Sequence, residues 1–220
     1  EPRKERPPTM MPFESSIADV ELDRGADITQ RRLSPKALTR WLSRLVPALT
    51  ARWIEEIERR GHTDSAESAS LVARFAELLV RLLPLMLGPE REQIQPLWDR
   101  ASALYGAIAA KRGLAAGEAL EELHLLRELV IRALYRDPPA AGGVRLSLRE
   151  ILRMNRALDR AVTHVSVGHT DSLFFDLLES DGRGAILAGD DALAEAEHQL
   201  ARISDEVQAL LRHPGANGPS

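Results

Sequence analysis

The residues of this chain best suited to chemistry are two Glu-x-x-His pairs, Glu121 to His124 and Glu195 to His198. Two such pairs with two further glutamates would make a di-iron or di-manganese centre inside a four-helix bundle. Helical geometry argues against that reading. On a helical wheel Glu121 points almost opposite the face of Leu123, Leu126 and Val130, while Glu195 and His198 lie away from the heptad seam of their own segment. Ligands must converge on a bundle interior and these diverge, so no metal site is expected. Among the histidines, His169 clearly shares an apolar face, where a hydrogen-bonded core histidine is a commoner fate than a haem ligand. His124 could stand beside a carboxylate as a phosphoacceptor does, yet the surrounding ELHLLREL lacks the H-E-x-x-T-P pattern of dimerising kinase helices. Gly182, Gly184 and Gly189 miss the dinucleotide spacing, with no strand before them and no Lys-Ser/Thr after. The chain has no cysteine, which removes disulfides, thiolate zinc sites, iron–sulfur clusters and cysteine nucleophiles together. No nucleophile elbow appears either, and the residues point to no enzyme and no cofactor.

What remains is a set of polar residues on apolar helical faces. Residues 97–136 form two amphipathic patterns hinged at Gly113. In the first, Ile94, Leu97, Trp98, Ala101, Leu104, Tyr105 and Ile108 recur at three and four residues, and Arg112 falls on the same face. In the second, Ala119, Leu120, Leu123, Leu126, Val130, Ala133 and Leu134 make the apolar face, with Arg127 inside it. An unpaired buried charge costs several kcal/mol, on the order of a domain's whole stability, so each guanidinium needs a partner unless its head snorkels to water. Asn155, Asp159, His169 and Thr170 share the apolar side of a later helix and are the available partners. An interior polar network of Arg112, Arg127, Asn155, Asp159 and His169 is therefore expected, with Asp159 best placed for a buried Arg127.

Composition sets the class. At 220 residues and 44% hydrophobic the chain can bury a real core, while aromatics are only 4% and Leu, Ala, Arg and Glu dominate. This favours an all-α bundle of five to six helices, of simple or globin-like topology, ending in a short heptad helix. The net charge of −4 comes from interleaved Arg and Glu, so no basic face is available for nucleic acid or a membrane surface. No apolar run approaches the roughly 18 residues of a spanning helix. The richest, residues 78–87, is broken by Arg81 and Pro84. A cytoplasmic protein is expected.

Taken in order, residues 1–33 read as a charged, proline-rich arm followed by a strap. The helical domain spans 34–181. Ser34-Pro35 opens its first helix, which Pro47 should kink or divide, and Gly61 closes it. Gly88-Pro89 stops the second helix, and residues 137–143 form a loop. Ser147 and Glu150 make a capping box for a long fifth helix. A glycine-bracketed hinge and a last helix occupy 182–212, before a tail at 213–220. In that helix Leu193, Ala196, Leu200, Ile203, Val207 and Leu210 alternate three and four apart. Leu193, Leu200, Ile203, Val207 and Leu210 serve either as a dimer or output seam, separable at the hinge, or as the strip by which a plain terminal helix completes the bundle.

The stretch LWDRASALYGAIAAKRGLAAGEALEELHLLRELVIRAL, with a W-x-x-x-(I/L) pattern in the first helix, resembles the N-terminal helical domain of RsbR-type co-antagonists, which also precedes histidine-kinase modules in some bacterial sensors. The resemblance spans about residues 38–178 and is carried by Arg112-Gly113-Leu114, Glu122 and Leu126-Arg127. It implies a non-enzymatic, dimeric sensory or scaffolding domain of a bacterial signalling system, related in role to the haem-less globin-like domains of the stressosome. Those proteins continue into a phosphorylatable STAS domain or a kinase, whereas here one helix follows, which suits an excised input domain or a stand-alone member. Three classes of function stand at this point: input or scaffold domain working as a homodimer with a protein partner, small-ligand or haem sensor, and helical metalloenzyme.

Overall fold

The computed structural model describes residues 33–61, 66–139, 148–181 and 190–212, with side chains at all of these except 175–181 and 190–193. They belong to one unit, Arg31–Ser220. The expected arm and strap before residue 33, the Ser147 cap, the glycine hinge and the tail lie outside the described residues.

Among the described residues the fold is an all-α bundle of six helices: α1 (Pro35–Arg59), α2 (Ala66–Leu87), α3 (Arg91–Lys111), α4 (Ala116–Arg136), α5 (Leu148–Asp181) and α6 (Asp190–Arg212). None of the described helices is long and apolar enough to cross a membrane. Ser34 caps α1, its hydroxyl accepting from the Ala37 N–H at 3.2 Å, with Pro35 at the first helical position. Pro47 does not divide α1. Its ring sits on the exposed side while Trp41, Leu42, Leu49, Trp53 and Ile57 bury the opposite face on both sides of it, so packing carries the helix through the missing hydrogen bond. Leu33, just before the cap, is buried in the core.

Between α3 and α4 the turn is tight. Gly113 takes a left-handed φ of 77°, its N–H donates to Ala110 and the Leu114 N–H donates to Ala109 at 3.1 Å, the paired bonds of a Schellman ending. Helices α3 and α4 therefore run antiparallel. The Trp53 and Trp41 indoles donate to the carbonyls of Glu122 (2.7 Å) and Asp137 (2.8 Å), laying α1 antiparallel to α4. Helix α5 instead runs parallel to α3, since Trp98 donates to the Ala157 carbonyl and His169 to that of Leu114.

This α3–α5 contact is made backbone to backbone. A Cβ on Gly106 would lie 2.0 Å from the Val165 carbonyl oxygen, and one on Gly168 would lie 1.9 Å from that of Ala103. Ala101, Ser102, Ala109, Ala157 and Ala161 are buried with them, so small side chains admit the close approach.

Helix α6 packs back on the body. Ala196, Leu200, Ile203 and Val207 are buried in the same core as the other helices, and Leu210 packs partly buried against it. Arg100 on α3 and Arg74 on α2 reach Glu206 and Glu197 of α6. The seam therefore faces α3 and α2, which corrects its reading as a surface for a second copy or a free output arm; of Leu193 only the helical backbone is described.

Gly168→Ala and Gly106→Ala should each force α3 and α5 apart and destabilise by about 2–3 kcal/mol or more, at the upper end of overpacking costs. Urea denaturation followed by circular dichroism checks this, with exposed Gly117→Ala as the control, since nothing lies within 4 Å of its added Cβ.

Candidate functional site

The centre of the bundle holds a charged triad. Glu122 on α4 is completely buried, and the Arg112 side chain at the end of α3 is only 3% exposed. The guanidinium grips the carboxylate at two points, Nη2 to Oε1 at 2.8 Å and Nη1 to Oε2 at 3.2 Å, while the Tyr105 hydroxyl donates to Oε2 at 2.5 Å. Trp53 stacks at a tilt 5.8 Å from the Tyr105 ring, and Phe75 meets that ring edge-on at 6.1 Å. Burial alone would lower the Arg112 pKa, but hydrogen bonding to Glu122 and its charge outweigh that and hold it above its ordinary value. Burial, followed by the charge of Glu122, pushes the Tyr105 phenol well above its usual range. The three side chains thus complement one another in apolar surroundings. Such an arrangement holds the α3 and α4 helices at a fixed separation.

The expected interior network is divided by the structure. Arg112 is inside, paired with Glu122 of α4. His169 is inside as well, its Nε2 donating to the Leu114 carbonyl at 2.8 Å, which occupies that nitrogen with a proton. Arg127 does meet Asp159, but the pair lies at the surface, with side chains 28% and 61% exposed, which corrects the expectation of a buried bridge. The reason is rotational: on α4 the position facing the core is Glu122, between Ala119 and Leu126, and Arg127 sits on the flank where its stem is covered and its head reaches out. Asn155 joins neither pair, and its Oδ1 and Arg127 Nε are buried atoms without a hydrogen-bond partner among the described residues. Thr170 is exposed, its hydroxyl donating to the Ser166 carbonyl of its own helix.

The Glu-x-x-His pairs point outward. Glu121 is bound by Arg60, His124 is exposed, and Glu195 accepts from Gln199 beside exposed His198. Among the described residues no cluster of three His, Asp or Glu could hold a metal. A cluster unforeseen in the sequence joins α3 to α5, where Arg160 clasps Asp99 with two contacts of 2.5 Å and His164 approaches it at 3.2 Å. Hydrogen bonding to Asp99 holds the Arg160 guanidinium above its ordinary pKa. The i, i+4 spacing of Arg160 and His164 was the available signal.

A second unforeseen feature is a groove of about 250 Å³ between α1 and the C-terminal half of α4. Leu45, Leu49, Leu129 and Ala133 line it together with Arg52, Arg132 and Arg136, and the surface presented is largely apolar. No family model, curated protein or solved structure matches this chain.

Arg112→Met should destabilise by about 3–5 kcal/mol, because it strands a buried carboxylate. Adding Glu122→Leu should recover most of that loss, and equal denaturation midpoints for the single and double variants would refute the pairing energetics. For Tyr105 the folded-state pKa is raised, so its contribution is intact below the unfolded phenol value of about 10 and is lost as pH rises toward the folded value. Tyr105→Phe should flatten the decline in stability above pH ~10 relative to the wild type, measured as the difference between their denaturation curves.

Proposed function

We propose that this chain is a non-catalytic input or scaffold domain of a bacterial signalling system, working as a homodimer through protein contacts. The observation that carries the reading is an apolar edge formed by α4 and α5. The Arg127–Asp159 pair sets these antiparallel helices in register, bringing Ile131 and Tyr135 to the same end as Leu148 and Leu152. All four are exposed, Tyr135 by 89% and Leu148 by 70%. Monomers rarely leave such side chains grouped in water. Two further points support the reading. The buried groups of Tyr105, Arg112 and Glu122 bond one another, and His169 bonds the Leu114 carbonyl, in roles that set helix positions. Arg112, Gly113, Leu114 and Glu122, which carry the likeness to RsbR-type domains, are the residues that form the α3–α4 turn and its buried bridge.

Light scattering at low micromolar concentration should give twice the 24.3 kDa chain mass. Tyr135→Glu combined with Leu148→Glu, both at exposed positions, should give the monomer mass with unchanged helicity and melting. A wild-type protein that remains at 24.3 kDa as concentration rises would overturn the proposal.

A further inference from the structure

We infer that the groove between α1 and α4 binds a small amphiphilic anion, an alkyl carboxylate of medium length, with the tail on the apolar floor and the head among the guanidiniums. Three observations converge. The floor is aliphatic, made by Leu45 and Leu49 of α1 and Leu129 and Ala133 of α4. Three arginines and one aspartate, Asp137, also line the groove, chiefly through their apolar stems, a local cationic excess in a chain of net charge −4. Arg132 is engaged by Glu128 one turn earlier, whereas Arg52 and Arg136 form no ion pair among the described residues. A guanidinium fork matches a carboxylate in two-point geometry and is less strongly hydrated than an ammonium, which suits it to an anion at the edge of an apolar surface.

Size narrows the class. The groove's 250 Å³ lies below the roughly 300–1,000 Å³ typical of sites for drug-sized ligands. It is room for about eight water-sized groups at ~30 Å³ each, so a saturated chain of that order fits where a haem or nucleotide does not.

The groove has a built-in reporter. The Trp41 indole N–H donates to the Asp137 carbonyl at the end of the site, so its resonance should move when the groove fills. Octanoate titrated into the full chain, followed by amide and indole NMR, should shift Trp41, Ala133 and Arg136 with one saturable curve. Octanol, which lacks the charge, and acetate, which lacks the tail, should each bind at least ~10-fold more weakly, since charge-assisted bidentate bonds and tail burial act together. Arg52→Gln with Arg136→Gln should weaken octanoate by a similar factor, and Ala48→Trp, which fills the groove from an exposed position, should abolish it. Leu148→Glu on the α4–α5 edge should leave binding intact, separating this site from the proposed dimer face. Absence of saturation, shifts centred elsewhere, or octanoate and octanol binding alike with no effect of the arginine variants would overturn the assignment.

Discussion

The buried bridge between Arg112 and Glu122 is the constraint from which the arrangement of this bundle follows. Neither charge can be taken from water alone without a penalty of several kcal/mol, so α3 can bury its last turn only where α4 presents the carboxylate. A one-residue rotation of either helix would separate the partners and leave both uncompensated. The Schellman turn at Gly113 places them ten residues apart in sequence and face to face in space. Tyr105 fills the remaining acceptor position, and Trp53 bonds the Glu122 main-chain carbonyl, so α1 is registered against the same residue. Three helices thus share one fixed point. The apolar core supplies the driving force, and the bridge selects among the ways that core could pack.

Two other devices set the remaining interfaces. Each tryptophan of the chain donates its indole N–H to a carbonyl on or just beyond another helix, from α1 to Glu122 and Asp137 and from α3 to Ala157. A buried indole needs such a partner, so each ring adds positional information to its large apolar area. The α3–α5 pair works by subtraction. With glycine at the crossing, the two backbones touch, and neighbouring alanines leave no bulk to hold them apart.

Much of this was legible in the sequence, and the failures have physical causes. Three- and four-residue periodicity located the helices, the Ser34 cap and the buried faces, because burial of one stripe is what makes such helices stable. The same periodicity placed Arg112 inside correctly and Arg127 too deep. A wheel assigns direction to a Cα, whereas a long arginine stem can start on a buried flank and end in water. Glu122 was noted only through the resemblance, since an acidic residue in a Glu-rich helix reads as solvated until its partner is known. The groove was invisible for a related reason: its floor and its arginines come from α1 and α4, some eighty residues apart in the chain, and only their antiparallel register brings them together. For α6 periodicity located the apolar seam, but it cannot say which surface buries it.

Helix α5 also has a mechanical consequence. At 34 residues it is about 50 Å long, against roughly 30 Å for the 21-residue α3 beside it. Its pairing with the α3–α4 unit reaches His169, and residues 170–181 continue as helix beyond that point. Gly168, whose backbone lies close against the Ala103 carbonyl, stands just before this segment. Twelve residues make an arm of about 18 Å, so a change of about 10° in the crossing of α3 and α5 displaces its tip by roughly 3 Å. A small rotation at the two glycines would thereby become, at the far end of α5, a movement the size of a side chain.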